Sequence, residues 1–266
     1  MKTDQPLNAF IITISGKGGV GKTSLTALLI DEIARAGYPG PLLAVDGDPA
    51  TTLHFALGLE PPEATVADIR DSLRLDAGTV RALPPGVLPT DHVREALLAA
   101  HVIRPAVLRR MRLDLLALGR SEGRGCYCAV NKALAAVLPD LADAYPLMVI
   151  DNDAGTEHLS RYRLHRADRF VVVFTPTRAA RAVRARILKT AAAVGMETGQ
   201  IVSILNRHPE SKPACGAGLI TIADSSAITT RNRADRPVIQ LPDGHPARAA
   251  LAPLVKDALG YNGAAR

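Results

Sequence analysis

Runs of consecutive apolar residues alternate along the chain with segments of helical periodicity. The apolar runs show no polar alternation, which is typical of strands covered on both faces. We predict strands at Ala9–Ser15, Pro41–Asp46, Asp114–Leu118, Leu147–Asp151, Phe170–Phe174, Ile201–Asn206 and Val238–Leu241. We predict helices at Ser24–Ala36, Asp91–Ala100, Ala129–Leu138, Ala179–Val194 and Pro246–Leu259. This alternation predicts a doubly wound α/β fold with a mainly parallel sheet, in which ligands bind beyond the carboxyl ends of the strands.

A glycine-rich loop joins the first predicted strand to the first predicted helix. Residues 16 to 23 read Gly-Lys-Gly-Gly-Val-Gly-Lys-Thr, the pattern of a phosphate-binding loop. Glycines let backbone N–H groups surround a β-phosphate, Lys22 neutralises the β and γ oxygens, and the Thr23 hydroxyl is a ligand for Mg²⁺. A glycine-rich turn without a ligand is the alternative, but the helix N-terminus that follows favours an anion site. The sequence therefore predicts a P-loop NTPase fold whose nucleotide contacts include Gly16, Lys17, Gly18, Gly19, Val20, Gly21, Lys22, Thr23 and Ser24.

Aspartates follow two of the apolar strands. Asp46 and Asp48 come at the end of the second strand, and Asp151 and Asp153 at the end of a later one. An aspartate that closes an apolar strand is the Walker B arrangement, which holds Mg²⁺ directly or through water. We assign Asp48 to orientation of the attacking water, and Gly155 to a backbone N–H that senses the γ-phosphate. The predicted magnesium ligands are Thr23, Asp48 and Asp151. The alternative is that these aspartates only cap turns and helices.

Two of the three cysteines form a Cys-x-Cys pair, Cys126 and Cys128, ahead of a predicted helix. Two thiolates can bind one soft metal ion, and the helix N-terminus with Arg124 would favour the thiolate form. A closed tetrahedral site needs four ligands, and Cys215 would supply only a third. If the protein dimerises about a two-fold axis near this loop, two pairs supply four thiolates. His54 and His158 are possible extra ligands, although a lone histidine is more often a structural hydrogen bonder. The alternative is that both cysteines are ordinary small buried residues.

Composition and charge narrow the classes of function. With 266 residues and 47% hydrophobic content the chain can bury a large core, and we expect one P-loop ATPase domain over residues 1–266. No apolar run approaches the roughly 18 residues of a membrane span. The N-terminus has no secretory pattern, so we expect a cytoplasmic location.

Arginines account for much of the net charge of +6. Arg178, Arg181 and Arg184 are predicted on one face of a helix, where they can contact nucleic acid or an acidic partner. Aromatic residues make up only 3% of the chain and leave few candidates for base stacking. We therefore favour a solvated arginine-rich face.

Together, the motifs at residues 16–23, 46–49, 125–131 and 151–161 resemble those of the CooC-type ATPases. These are accessory proteins for maturation of the nickel-iron-sulfur carbon monoxide dehydrogenase, within the wider class of nitrogenase iron protein and MinD-like ATPases with a deviant Walker A motif. The resemblance implies hydrolysis of ATP to ADP and phosphate with Mg²⁺, and a homodimer formed on ATP or metal binding. It also implies nickel bound by Cys126 and Cys128 with their dimer mates, and a client metalloenzyme such as carbon monoxide dehydrogenase. A site of four thiolates favours zinc over nickel on ligand chemistry alone, so zinc remains an alternative at these cysteines.

The same resemblance implies roles for individual residues. Lys17 is the signature lysine that reaches the partner's phosphates, so that Lys17, Lys22 and Asp48 form the catalytic set. Asn206, with Arg207 beside it, recognises the adenine base. Asp153 stands where the family has Glu.

A partition or positioning ATPase of the ParA/MinD kind, which binds DNA or a membrane surface, is the alternative function. It predicts a terminal amphipathic helix or a DNA-binding face. In the C-terminal segment, four apolar residues share one side: Leu251, Leu254, Val255 and Leu259. Only Arg248 and Lys256 accompany them as cations, which favours docking on the core. We therefore expect neither a membrane nor nucleic acid as a partner.

Overall fold

A single sheet organises the part of the chain that the computed structural model describes, which is residues 9–72, 104–120, 138, 141–154, 166–209, 215–216 and 218–261. Its strands are β1 (Phe10–Gly16), β2 (Leu42–Gly47), β3 (Arg104–Leu108), β4 (Met111–Ala117), β5 (Leu147–Asn152), β6 (Arg166–Phe174), β7 (Glu197–His208), β8 (Cys215–Gly216) and β9 (Leu219–Ala223). They lie in the order β3-β4-β2-β5-β1-β6-β7-β9-β8. Neighbours are parallel except at the two edges, where β3 pairs with β4 and β8 with β9 in antiparallel fashion. The doubly wound, mainly parallel prediction is confirmed.

Helices cover both faces of this sheet. They are α1 (Lys22–Arg35), α2 (Leu53–Ala56), α3 (Val66–Ser72), α4 (Arg178–Ala193), α5 (Ser226–Arg233), α6 (Pro246–Ala250) and α7 (Ala252–Gly260). On one face, strand residues such as Ile12 and Ile14 pack with α1, α6 and α7. On the other face, Ile11 packs in a cluster with α3, and Phe170 packs against α4. Burial on both faces explains why the strands are continuous apolar runs. Among the described helices, none has both the length and the apolar character needed to cross a membrane.

Some sequence predictions of secondary structure were wrong. The strand predicted at Val238–Leu241 is a 3-10 turn, Val238–Gln240, flanked by Pro237 and Pro242. Four apolar residues suit a buried turn as well as a strand, and Val238 is indeed fully buried. The helix predicted at Pro246–Leu259 is two helices, because Pro253 in the first turn of α7 has no N–H to continue a helix from α6.

Other elements were missed or lie outside the described residues. β3 was not predicted; it contains Pro105, which an edge strand tolerates. β8 and β9 were not predicted, and neither were α2, α3 and α5. The helix predicted at Asp91–Ala100 and all but the last residue of Ala129–Leu138 fall outside the described part of the chain.

Candidate nucleotide-binding site

The P-loop lies between β1 and α1, at the centre of the sheet. Gly16 ends β1 beside β6, and a Cβ at this position would lie 2.4 Å from the carbonyl oxygen of Val173. Gly21 has a φ of 95°, and a Cβ there would lie 2.7 Å from Nδ2 of Asn206. Any other residue would clash at either position, and at Gly21 it would also be strained. The glycines therefore fix the path of the loop against β6 and the end of β7.

Thr23 and Asp151, two of the predicted magnesium ligands, are in contact. The Thr23 hydroxyl donates to Oδ2 of Asp151 at 2.6 Å. Thr26, one helical turn along α1, donates to Oδ1 of the same carboxylate at 3.3 Å and to the Lys22 carbonyl at 3.0 Å. Thr26 was missed by the sequence analysis, although its spacing from Thr23 places both on the same side of a helix. The structure thus brings the P-loop helix and the end of β5 together at one carboxylate.

The carboxylates at this edge are buried without a directly bonded cation among the described residues. Burial raises the pKa of Asp151 to about 7; the hydrogen bond from Thr23 and the charge of Lys22 oppose this shift, and the charge of Asp46 adds to it. Burial also raises the pKa of Asp46 to about 6. A hydroxyl and a carboxylate are oxygen ligands of the kind Mg²⁺ prefers, and a cation would offset the cost of burying the charge. The residues present therefore fit a magnesium ion.

Asp46 and Asp48 have different surroundings, although both follow β2. Asp46 is fully buried and accepts backbone hydrogen bonds from Asp48 at 3.1 Å and from Leu53 at 2.8 Å. It therefore holds the turn after β2. Asp48 is half-buried, and its Oδ1 accepts from the N–H of Ala50 at 2.9 Å. The other oxygen of Asp48 makes no hydrogen bond within the described residues, so this carboxylate can act on a water molecule.

The end of β7 reaches the P-loop through Asn206. Its Nδ2 donates to the carbonyl of Val20 at 2.8 Å, and the residue is buried. Arg207 beside it is exposed and has a φ of 56°. A second amide, Asn152, donates to Thr13 Oγ1 at 2.6 Å and to the Ile14 carbonyl at 3.0 Å, and so ties the end of β5 to β1. The sequence analysis gave Asn152 no role, because a buried amide between two aspartates has no distinctive spacing.

The other predicted nucleotide contacts differ in their exposure to solvent. Lys22 and Ser24 are buried at 7% and 8% relative exposure, within the first turn of α1. Lys17, Gly18 and Gly19 are exposed, and Val20 is buried. Gly155, Cys126 and Cys128 lie outside the described residues, so their predicted contacts remain predictions.

Comparisons with known proteins agree with this geometry. The sequence profile described as the CobQ/CobB/MinD/ParA nucleotide binding domain matches residues 11–231. An ATP-binding protein of Methanocaldococcus jannaschii, itself uncharacterised, is 36% identical over 74% of this chain and 74% of its own length. The carbon monoxide dehydrogenase accessory protein CooC of Rhodospirillum rubrum is 26% identical over 70% of this chain and 71% of its own.

Solved structures show the same fold. The septum site-determining protein MinD of Pyrococcus horikoshii, in complex with Mg-ADP, superposes with a TM-score of 0.64 at 20% identity, over 94% of this chain and 95% of that one. Likeness at this identity supports the fold, while the profile match and the archaeal relative establish the family. The chain belongs to the CobQ/CobB/MinD/ParA family of nucleotide-binding domains.

Proposed function

We propose that the protein is an ATPase that dimerises on ATP binding and assists insertion of a soft transition metal into a metalloenzyme. The observation that carries the ATPase part is the contact of Thr23 with Asp151 at the mouth of the P-loop. There, the side-chain oxygens of Thr23 and Asp151, the buried Lys22 and the N-terminus of α1 lie at one edge of the sheet, which supports this proposal. This is the arrangement needed to hold a nucleoside triphosphate.

The residues at this edge of the sheet have separate proposed roles in ATP hydrolysis. Thr23, Asp151 and Asp48 would hold Mg²⁺, which would neutralise phosphate charge. Asp48 orients the attacking water. Lys22 and the loop amides grip the β-phosphate. Lys17 is exposed, and no hydrogen bond or ion pair holds its ammonium among the described residues. An exposed cation at the first turn of the loop is free to reach the phosphates of a second subunit, which supports hydrolysis in a homodimer.

Asn206 supports adenine as the base. Its Nδ2 is committed to the Val20 carbonyl at 2.8 Å, so the orientation of the amide is fixed and Oδ1 is left to accept a hydrogen bond. Adenine offers an exocyclic amino group to such an acceptor, whereas guanine places a carbonyl oxygen at the same position of the ring. The two acceptors would repel each other, so ATP is favoured over GTP.

The metal cargo is assigned to Cys126 and Cys128. Support comes from the Cys-x-Cys pair in the sequence and from the 26% identity to the CooC accessory protein. Two pairs from two subunits supply four thiolates, enough for one closed site. Nickel is the proposed metal, zinc is the competitor on ligand chemistry, and a carbon monoxide dehydrogenase is the proposed client.

Metal titration of the full-length protein tests this assignment. We expect one Ni²⁺ for every two chains, measured by metal analysis of dimer and monomer separated by size exclusion, with and without a non-hydrolysable ATP analogue. Cys126→Ser and Cys128→Ser should each remove the metal and leave nucleotide binding intact. Cys215→Ser is the matched control and should keep both the metal and nucleotide binding.

Other results would contradict the metal assignment. One ion per chain, or tight binding by Cys126→Ser, would rule out a site shared by two subunits. Loss of the metal at low pH is expected in any thiolate site, because the ligands must be deprotonated, so pH dependence alone decides nothing.

A partition or positioning ATPase is the second candidate function. The fold shared with MinD supports it, as do Arg178 and Arg181, which are both exposed on α4. Arg184 does not belong to that exposed row, because its guanidinium donates twice to Ser203 Oγ, at 3.0 and 2.7 Å, and lies over the ring of Phe174. Against a membrane role, Leu251 and Leu254 are buried against the core. ATP-dependent binding to duplex DNA or anionic vesicles, without metal in the dimer, would favour this candidate.

A further inference from the structure

Helix α5 lies on the surface and contacts α1, the helix that follows the P-loop, through a side-chain hydrogen bond. Nδ2 of Asn232 donates to Oγ of Ser24, in the first turn of α1, at 3.1 Å. None of the residues of α5 is buried, so the helix lies on the surface with only Ile228 partly packed on the core. The Asn232 contact therefore joins a surface helix to the residue that directly follows Thr23.

This hydrogen bond sets the polarity of the Ser24 hydroxyl. A serine hydroxyl has one proton to donate and two lone pairs to accept with. Asn232 occupies one lone pair, because an amide N–H can only donate. Within a helix, the usual acceptor for a serine proton is the carbonyl four residues earlier, here that of Val20. That carbonyl accepts from Asn206 at 2.8 Å but not from Ser24, and no hydrogen bond from the Ser24 hydroxyl is present among the described residues. Within the described structure, the Ser24 proton therefore has no acceptor.

Ser24 and Asn232 line a small cavity beside the P-loop. The cavity has a volume of about 20 Å³, and Gly21 and Asn206 contribute to the same wall. A space of this size accommodates about one water molecule. A buried hydroxyl with a free proton at the N-terminus of a phosphate-binding helix is suited to an anionic oxygen.

We propose that Asn232 is a positioning residue for the nucleotide: it orients the Ser24 hydroxyl so that this group donates to a phosphate oxygen. The inference rests on the proposed nucleotide-binding function and adds a residue from α5 to that site. It predicts that the chemistry of residue 232 matters only through Ser24. A carboxylate at 232 would accept the Ser24 proton, turn a lone pair toward the phosphate and add a negative charge nearby, whereas alanine would only release the hydroxyl.

Calorimetric titration with MgADP tests the proposal on the full chain. We expect Asn232→Ala to weaken MgADP binding roughly threefold to tenfold, the size of one oriented hydrogen bond. Asn232→Asp should weaken it by about a further tenfold, because the hydrogen bond to Ser24 is reversed and a negative charge is added near the phosphate. In a Ser24→Ala background, Asn232→Ala should have no further effect. Thr230→Ala is the matched control, since Thr230 is exposed on the same helix and does not line the cavity.

Each other outcome overturns a stated part of the proposal. If the wild-type protein does not bind MgADP, the nucleotide-binding function itself fails, and this inference fails with it. If the wild-type protein binds but both Asn232 variants bind equally well, only the positioning role fails. Tighter binding by Asn232→Ala would mean that the hydrogen bond competes with the nucleotide. An Asn232→Ala effect that persists without the Ser24 hydroxyl, or a matching fall in the unfolding temperature without nucleotide, would mean that residue 232 acts through the fold of α5.

Discussion

Two buried carboxylates lie at opposite ends of α1, and their surroundings differ. Near its start, Asp151 accepts hydrogen bonds from the hydroxyls of Thr23 and Thr26. Toward its end, Asp31 accepts from Arg35 at 2.9 Å, from Arg248 at 2.7 Å and from Arg109. Both carboxylates are fully buried, yet within the described part of the chain only Asp31 is bonded directly to cations.

The pKa values of the two groups move in opposite directions. Burial alone would raise the pKa of Asp31, but the hydrogen bonds from Arg109, Arg248 and Arg35 outweigh it, so the pKa is lowered. At Asp151, burial prevails over the hydrogen bond from Thr23 and the charge of Lys22, and the pKa rises to about 7. The chain therefore stabilises the charge of Asp31 by itself, whereas the described residues give Asp151 no such partner. We infer that Asp31 is part of the fold, and the proposed function places Asp151 in the ligand site.

The largest expected effect is on the rate of ATP hydrolysis and concerns Lys17, in the P-loop before α1. Lys17→Ala should lower the rate of ATP hydrolysis by roughly 10³- to 10⁵-fold, as for loss of an arginine finger, because the transition state loses a cation. Nucleotide affinity should stay near that of the wild type, since Lys22 and the loop amides remain. A phosphate-release assay together with a nucleotide titration measures both quantities.

Mixing subunits tests whether Lys17 acts across a dimer. A Lys17→Ala subunit still binds ATP, and a Lys22→Ala subunit is deficient in binding but keeps Lys17. Mixed dimers should recover activity at the competent site. Absence of recovery would contradict the trans role and would return Lys17 to its own subunit.

The next effect concerns the other end of α1. Asp31→Asn leaves three arginines around a neutral amide, and breaking a buried ionic cluster of this kind costs about 3 to 5 kcal/mol. Urea unfolding measures this loss, while MgADP affinity should be unchanged below the unfolding transition. Asp243→Asn is the matched control: it removes an exposed partner of the same Arg35 and should cost under about 1 kcal/mol. An equal loss in both variants would show that the buried cluster has no special weight.

The residues that meet near the start of α1 could be predicted from the sequence, whereas the ionic cluster around Asp31 toward its end could not. A glycine-rich loop with Lys22 and Thr23 has fixed spacing because a phosphate has a fixed size. An aspartate is recognisable where it directly ends an apolar strand. The contact of Thr23 with Asp151 follows once both are placed at one edge of a parallel sheet. A phosphate ligand restricts the residue types and spacing that can bind it, so its site leaves a short pattern in the sequence.

Asp31 and its arginines leave no such pattern. Arg109 and Arg248 are 78 and 217 residues away from Asp31 along the chain. Within α1, Asp31 and Arg35 look like an ordinary exposed pair at helical spacing, yet Asp31 is fully buried and also bonds Arg248 of α6 and Arg109 of the turn between β3 and β4. Asn232 and Ser24, 208 residues apart, were out of reach for the same reason. Such contacts depend on tertiary packing, which neither periodicity nor spacing encodes.

The smallest expected effect has the opposite sign to that of Asp31→Asn. The folded-state pKa of Asp151, about 7, lies above the ordinary value of 3.8, so the fold favours the neutral acid. Its contribution to stability is fully present below pH 4 and is lost as the pH rises through 7. Asp151→Asn removes that loss, so without ligand at pH 8 the variant should be more stable than the wild type by roughly 2 to 4 kcal/mol. The stabilities of the two proteins should converge near pH 4.

MgADP should stabilise the wild type much more than the variant, because the amide is a poorer magnesium ligand. Urea unfolding at the two pH values, with and without MgADP, measures all of these differences. If Asp151→Asn instead lost stability at pH 8, as Asp31→Asn is expected to do, the fold itself would be using the charge of Asp151, and the distinction between the two ends of α1 would not hold.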